Sequence, residues 1–277
     1  MKKMFLILGT CTLLAGCNKL EPYMGKMFLK NQDESVQQPK NETVNTSKND
    51  HNGNKKSGKS DNSITLKAAY FNQIKQVNGK NVIQNPDNIL ALVNHQFSLP
   101  STYAPKDLVR PKVAFSFGNK DIEKSYLRKE AAVALEKMFA AAKKQNIELY
   151  AVSGYRSYER QDELFQAEIN RVGEEKAVQA VAVPGTSEHQ TGLAIDISGK
   201  SVNLELTEKF GTTPEGKWLA KNAHKFGFIL RYPKDKVDIT GYQYEPWHFR
   251  YVGIKAAKVI YEKNLTLEEY FNIVKKI

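Results

Sequence analysis

The sequence predicts a fold in which helices and short strands are mixed, and three observations support this prediction. Hydrophobic residues make up 41% of the 277-residue chain, which is enough to build a core. Within residues 123–145, apolar side chains recur at the spacing of one helix face. Short apolar runs at 147–152 and 193–197 have the length and composition of strands.

The N-terminal residues 1–16 have the features of a secretory signal peptide. Two lysines precede an apolar run that is too short to be a comfortable membrane span. The run ends in L-A-G-C, and this ending resembles the lipobox of bacterial lipoproteins. The resemblance implies cleavage before Cys17 and acylation of its thiol, so we expect an extracytoplasmic protein that is lipid-anchored to the bacterial cell membrane. An ordinary signal peptide, cleaved nearby, is the alternative.

Residues 17–62 are predicted to form the lipidated N-terminus and a disordered polar tether. From residue 31 to residue 62 the aliphatic side chains are two valines, so this segment cannot bury enough apolar surface to offset its ordering entropy. We expect a root-mean-square reach of roughly 30 Å, and a solvated His51. The folded domain is then predicted over residues 63–277.

The domain is predicted to begin with a subregion, residues 64–111, that wraps on the main body and contains an exposed or structural His95. The helix over 123–145 and the strand at 147–152 follow. His224 is predicted to be exposed or to cap a helix C-terminus, where a cation is favoured. The remaining predicted elements are helices over 158–171, 174–183, 215–226, 253–262 and 267–275, and strands at 193–197, 228–231 and 247–251.

Charge and motif content narrow the function classes. The formal net charge of +11 favours anionic partners, and the export signal favours wall polyanions or anionic lipid over nucleic acid. One cysteine, Cys11, would leave with the signal and Cys17 would be acylated, so no cysteine nucleophile remains. Serine penicillin-binding motifs, a nucleophile elbow, a His-Glu-x-x-His helix and a Walker loop are absent. Among common hydrolytic designs, a metal site remains.

Two stretches together supply two imidazoles and two carboxylates. One reads P-G-T-S-E-H-Q-T-G-L-A-I-D-I and carries His189 and Asp196; the other reads E-P-W-H and carries Glu245 and His248. Gly192 permits a tight return that could bring the first pair together. A catalytic zinc site needs three protein ligands and one open position, and a spare carboxylate can take a proton from water. A buried, hydrogen-bonded histidine–aspartate pair is the alternative.

Arg156 follows the strand predicted at 147–152. A guanidinium at this place could stabilise the negative charge that develops on a carbonyl oxygen during amide hydrolysis. It could equally bind a substrate carboxylate in bidentate fashion. A surface arginine without a role in chemistry is the alternative.

Three blocks of sequence resemble the VanY-type D-alanyl-D-alanine carboxypeptidases, which belong to a wider zinc peptidase group with lysostaphin-like and hedgehog domains. The blocks are S-G-Y-R-S at 153–157 with Gln161, S-x-H-x-x-G-x-A-x-D at 187–196, and E-P-W-H at 245–248. They occur in the family's order within residues 85–262. The resemblance implies an α+β fold with a small antiparallel sheet flanked by helices.

The resemblance also implies roles for individual residues. One zinc ion per domain would be held by His189, Asp196 and His248, with Glu245 as the catalytic base and Arg156 polarising the scissile carbonyl. The residues expected to hold the substrate or wall its pocket are Gln161, Ser187, Tyr155, Tyr232 and Trp247.

The function implied is that of a monomeric zinc carboxypeptidase that removes the terminal D-alanine from peptidoglycan stem peptides. Whether it cuts D-Ala-D-Ala in pentapeptides or acts as an L,D-carboxypeptidase on tetrapeptides stays open at this point. A peptidoglycan endopeptidase, a non-catalytic cell-wall-binding module and an electrostatic adhesin are the alternatives. The adhesin is disfavoured because attraction by charge alone needs no histidines.

Overall fold

A computed structural model describes residues 64–277 of the chain. The predictions for residues 1–63, namely the signal peptide, the lipid on Cys17, the tether and the solvated His51, lie outside this range. The strands are β1 Thr65–Leu66, β2 Ile74–Val77, β3 Lys80–Ile83, β4 Phe97–Ser98, β5 Leu108–Val109, β6 Leu127–Arg128, β7 Tyr150–Ser153, β8 Ala194–Ser198, β9 Phe228–Leu230, β10 His248–Tyr251 and β11 Lys275–Lys276. The helices are α1 Lys129–Lys143, α2 Tyr158–Val172, α3 Glu174–Ala180, α4 Pro214–Asn222, α5 Val237–Thr240, α6 Ile254–Glu262 and α7 Leu267–Ile273.

A four-stranded sheet in the order β7-β8-β10-β9 lies at the centre, and each neighbouring pair in it is antiparallel. The two central strands, β8 and β10, alternate between apolar and polar residues, so the sheet has an apolar face and a polar face there. Ile195 and Phe249 are buried on the apolar face, in a core cluster that includes Leu135 and Met138 of α1. The prediction of a small antiparallel sheet flanked by helices is confirmed.

The polar face of the sheet is buried too, and it carries the chemistry. Asp196 of β8 lies directly opposite His248 of β10 in the register of the two strands. Arg250 follows two residues after His248 and therefore lies on the same face. All three residues are at most 4% exposed. The register alone therefore brings together two residues that are 52 positions apart in sequence.

The N-terminal subregion and the C-terminal helices close the domain around a second core cluster. Leu90 packs there with Val252, Ile260 of α6 and Tyr270 of α7. Strands β1 and β11 pair in parallel, so the start and the end of the described range are joined. The prediction that residues 64–111 wrap on the main body is confirmed.

The helix predicted over 123–145 begins only at Lys129. The preceding Leu127–Arg128 form β6, which pairs with β5, and the N–H of Lys129 donates to the carbonyl of Asp107. The apolar periodicity did not reveal this boundary because Leu127 is buried in the strand, as it would be in a helix. A long-range partner strand, which local sequence does not show, fixes the conformation there.

Three further helices end earlier than predicted. The helix predicted to Val183 ends at Ala180, and the one predicted to Phe226 is α-helical only to Asn222 before it tightens into a 3₁₀ turn. The last helix ends at Ile273, because the chain turns there to pair with β1. Within residues 64–277, no helix has both the length and the apolar character that crossing a bilayer requires.

Candidate active site

Three predicted metal ligands converge on the polar face of the sheet. The Nε2 atom of His189 lies 3.4 Å from Oδ2 of Asp196, and the Nδ1 atom of His248 lies 3.1 Å from Oδ1 of the same carboxylate. Within the described part of the chain, these three side chains form a group whose ligand atoms all lie within 4.8 Å of one another. We call His189, Asp196 and His248 the metal-ligand cluster.

The metal-ligand cluster fits a zinc ion. A tetrahedral ion with bonds of about 2.0–2.1 Å separates its ligand atoms by about 3.3–3.4 Å, which is close to the two distances above. Two imidazole nitrogens and one carboxylate oxygen are also ligand types that zinc accepts. The donor set therefore suits a site with three protein ligands and one open position.

The two imidazoles present different nitrogens to Asp196, and the other nitrogen of each faces an oxygen atom of the protein. Nδ1 of His189 lies 2.7 Å from the carbonyl oxygen of Gly154, so it must carry the proton and leave the Nε2 lone pair free. Nε2 of His248 lies 3.5 Å from Oε2 of Glu188, and the described residues offer neither atom a hydrogen bond of normal length. Partners on the far nitrogen of a ligating histidine fix its tautomer and ring orientation.

Burial and neighbouring charge set the protonation of these ligands. Burial lowers the pKa of His189, which keeps this imidazole neutral. Burial alone would also lower the pKa of His248, but the acceptors Asp196 and Glu188 raise it to about 9. Burial would raise the pKa of Asp196, yet the two imidazoles hold it below its usual range. A metal ion and a proton therefore compete for Nδ1 of His248.

The loop that carries His189 is shaped by glycine. Gly192 ends a short 3₁₀ turn, Glu188–Thr191, in the left-handed region with φ +65°. A Cβ atom on Gly192 would lie 2.9 Å from Cδ2 of Leu108, so a side chain would also collide. The chain thereby reverses directly into β8 and places Asp196 beside His189. The predicted tight return at Gly192 is confirmed.

Glu245 lies at the edge of the metal-ligand cluster. Its Oε2 atom is 3.7 Å from Nδ1 of His248, on the same side of the imidazole as Asp196. Burial raises the pKa of Glu245 to about 7. A carboxylate of this kind can take and return a proton near neutral pH.

The guanidinium of Arg156 also lies near the metal-ligand cluster, and two side chains bind it. Its Nη1 donates to Oε1 of Gln161 at 2.8 Å, and its Nη2 donates to the hydroxyl of Ser153 at 3.3 Å. Gln161 in turn donates its amide N–H to the carbonyl of Ala182. Both ends of the Gln161 amide are thus engaged within the protein, so this residue orients the guanidinium.

A cavity of about 620 Å³ opens over these residues. Ser187, Tyr232 and Trp247 line it. Tyr155 does not line the cavity. It is 8% exposed, its backbone N–H donates to the carbonyl of Tyr126, and the expectation that it walls the pocket is not met.

Two other residues in the lining, His95 and Tyr242, were not predicted as part of the site. The exposed ring of His95 stacks on Tyr242 with 4.3 Å between centroids, and Tyr242 stacks on Tyr232. Tyr232 then lies against His248 at 5.0 Å. His95 comes from the N-terminal subregion, so local sequence gave no indication that it reaches the cavity.

His224 is not exposed, but it lies in the 3₁₀ turn, Ala223–Phe226, at the C-terminal end of the helix predicted over 215–226. Its half-buried ring stacks on Tyr261, with 3.6 Å between the centroids and 9° between the planes. It lies beside a small, mostly apolar cavity of about 170 Å³ between α4, α6 and β9. None of the three residues of the metal-ligand cluster lines this cavity.

A second buried polar cluster was not predicted from the sequence. We call Glu188, Arg231, Arg250 and Glu268 the ionic cluster. The side chains of Glu188 and both arginines are 0% exposed. A signal for it existed, because Arg231 and Arg250 lie inside predicted strands, where a buried arginine needs a partner, and Glu188 lies within the block at 187–196.

Fold and site together define a metallopeptidase: two imidazoles and a carboxylate converge on an antiparallel sheet, with a further carboxylate and a guanidinium at the rim of one cavity. The profile of the VanY family, D-alanyl-D-alanine carboxypeptidase, matches residues 124–254. The Bacillus subtilis (strain 168) protein YodJ is 61% identical over 223 residues, which cover 80% of this chain and 81% of YodJ. The chain belongs to the VanY family of D-alanyl-D-alanine carboxypeptidases.

Solved structures agree with this assignment. The LdcB LD-carboxypeptidase is 62% identical with a TM-score of 0.76, and the match covers 77% of this chain and 100% of that one. A mutant of the vancomycin-resistance D,D-pentapeptidase VanY, in complex with Zn(II), is 36% identical with a TM-score of 0.54, covering 66% and 98%. The predicted family, fold class and enzyme class are confirmed.

Proposed function

We propose that this chain is a zinc carboxypeptidase that removes the terminal D-alanine from peptidoglycan stem peptides. The observation that carries the proposal is the convergence of His189, Asp196 and His248 with Glu245 and Arg156 in one cavity. We further propose one zinc ion per domain, held by the metal-ligand cluster. When bound, that ion supplies Lewis acidity to the water and the carbonyl group that react.

The protein's own groups then divide the remaining work. Glu245, whose pKa is raised by burial to about 7, takes a proton from the attacking water at Oε2 and later returns it to the leaving amine. Arg156, oriented by Gln161, directs its guanidinium toward the oxygen on which negative charge develops. Ser187, Tyr232 and Trp247 border the cavity that receives the peptide.

We propose that the bond cut is the L,D bond of tetrapeptide stems. The support is similarity: identity to the LdcB LD-carboxypeptidase is 62%, whereas identity to the D,D-pentapeptidase VanY is 36%. Catalysis takes place outside the cytoplasm in this proposal, on a domain that a lipid on Cys17 and the tether of residues 17–62 hold near the cell wall. The sequence of the lipobox and the low hydrophobicity of the tether support that part.

Mass spectrometry of defined muropeptides tests the proposal. The purified full-length chain is incubated with tetrapeptide and pentapeptide stems in separate tubes, with and without a chelator. We expect chelator-sensitive loss of one D-alanine from the tetrapeptide. The same loss from the pentapeptide alone would make the chain a D,D-carboxypeptidase. Intact stems in both tubes, with zinc bound, would favour an endopeptidase or a wall-binding module instead.

A further inference from the structure

The two oxygens of the buried Glu188 carboxylate have different partners. Oε1 accepts from Nε of Arg231 at 2.9 Å and from Nη1 of Arg250 at 2.8 Å. Oε2 receives no such bond and faces Nε2 of His248 at 3.5 Å. One oxygen is therefore fixed by two arginines, and this leaves the other aimed at the far side of a metal-ligating imidazole.

The arginines are themselves anchored by distant parts of the chain. Arg231 forms a bidentate pair with Glu268 of α7, at 2.6 and 2.8 Å. Arg250 donates to the carbonyls of Ile89 and Ala91 in the N-terminal subregion. Glu268 and both carbonyls lie outside residues 124–254, the part that the family profile matches. The support of the imidazole thus extends into segments that the profile does not describe.

Structural stability alone is a weak explanation for this arrangement. Replacing buried ion pairs with apolar side chains of similar volume is often neutral or stabilising, because desolvating the charges is costly. The ionic cluster contains two arginines and two glutamates, so its formal charges cancel. What an apolar cluster could not supply is an anionic acceptor for Nε2 of His248.

We propose that Glu188 is a positioning residue for the zinc site, and that Arg231, Arg250 and Glu268 hold it in place. Its Oε2 accepts the Nε2 proton of His248, which keeps the Nδ1 lone pair free for the metal. The inference rests on the proposed metal site and adds residues to its support. Partners of this kind are typically worth 10- to 100-fold in metal affinity.

The variant Glu188→Gln tests the proposal sharply. If the amide oxygen faces the two arginines, the NH₂ group faces Nε2 of His248, where a second donor cannot bind a protonated nitrogen. The imidazole must then move its proton to Nδ1, the atom that the metal needs. We expect zinc affinity, measured by competition with a chromophoric chelator, to fall about 10- to 100-fold, while circular dichroism shows an intact fold.

A matched control and two further measurements keep the test decisive. Glu130→Gln also removes a carboxylate that contacts β10, where it accepts from the Tyr251 hydroxyl, and it should leave zinc affinity unchanged. Glu268→Gln should give a smaller loss of affinity, because it acts through Arg231. In the zinc-loaded parent chain, ¹⁵N spectra of the histidines should show one metal-ligating imidazole protonated at Nε2 and one at Nδ1.

The outcomes separate this inference from the proposed function. Equal zinc affinity in Glu188→Gln and the parent chain would overturn the positioning role. A ¹⁵N spectrum in which both ligating imidazoles carry the proton on Nδ1 would do the same, whether or not the Glu188 variant folds. A parent chain that binds no zinc at all would instead overturn the proposed function together with this inference.

Discussion

Two buried polar clusters share the polar face of the central sheet, and they meet at His248. In the ionic cluster, both arginines and both glutamates have charged partners at 2.6–2.9 Å. In the metal-ligand cluster, the three side chains place their ligand atoms within 4.8 Å of one another and line a cavity. The same sheet face therefore carries one region whose charges are matched and one that is left open to a cation and a substrate.

The two clusters differ in their roles: the ionic cluster supports the site, and the metal-ligand cluster takes part in the chemistry. The ionic cluster can be rigid because its arginines and glutamates bind one another within the protein. A catalytic centre needs donors and acceptors that are left for the substrate and the metal. Placing the first beside the second holds the ligands still without occupying them. Changes in and beside the metal-ligand cluster should therefore affect turnover, and changes in the ionic cluster should affect folding and metal affinity.

The largest effect on turnover is expected for Glu245→Gln. Removing the proton acceptor should lower kcat by about 10²- to 10⁴-fold, which is the usual contribution of general acid–base catalysis. Bound zinc, measured by metal analysis, should stay at the level of the parent chain because Glu245 is not one of the three ligands. The exposed Glu163→Gln is the control. Unchanged turnover in Glu245→Gln would contradict the assigned role.

The largest effect on folding is expected for Arg250→Met. This change removes one of the two arginines that bond Glu188 and leaves the carbonyls of Ile89 and Ala91 without their donor. Breaking a buried pair in this way costs about 3–5 kcal/mol in the free energy of unfolding, measurable by urea denaturation.

The control for Arg250→Met is Arg160→Met. Arg160 pairs with Glu163 on the surface, and both side chains are more than half exposed. Exposed pairs contribute about 0–1 kcal/mol, so this variant should unfold at nearly the same urea concentration as the parent chain. Equal losses of unfolding free energy in the two variants would mean that the ionic cluster does not stabilise the fold.

A somewhat smaller effect on turnover is expected for Arg156→Lys. The lysine keeps the positive charge but loses the fixed fork that Gln161 and Ser153 orient. Losing one donor to a developing oxyanion lowers kcat by about 10²- to 10³-fold. Steady-state kinetics on the muropeptide should show this fall in kcat. A rise in KM alone would instead indicate that Arg156 binds a substrate carboxylate.

The smallest effect is expected for Glu268→Gln at acid pH. Burial would raise the pKa of Glu268, but the charge of Arg231 lowers this pKa below its usual range. A carboxyl of this kind stabilises the fold above its unfolded pKa of about 4.3, and this stabilisation is lost as the pH falls through the lower, folded value. Urea denaturation at several pH values below about 5 should therefore show a shallower loss of stability in Glu268→Gln than in the parent chain.

The control for this acid series is Glu262→Gln, whose carboxylate is 57% exposed and 3.7 Å from Lys258. The stability of the Glu262→Gln variant should fall as steeply as that of the parent chain when the pH is lowered. If Glu268→Gln also followed the parent curve, the pairing with Arg231 would contribute nothing to acid stability.

The sequence by itself determined the residue types of the metal-ligand cluster. Three blocks carried its residue types, and Gly192, between His189 and Asp196, already permitted the tight return that the structure contains. Such features are local, because a loop and the strand that follows it are set by nearby residues. The strands of the central sheet and most helices were predictable for the same reason, apart from element ends. The short strands β1 to β6, β11 and helix α5 were not predicted.

The ionic cluster and the residues that line the cavity were revealed only by the tertiary structure. Glu188 and Glu268 are 80 positions apart and meet through Arg231, while His95 reaches the cavity from a subregion that folds back on the sheet. Tyr155 was misplaced, and α1 began late, because long-range partners fixed both segments. The physical reason is that a buried charge needs a partner, but nothing in local sequence says which distant residue will provide it.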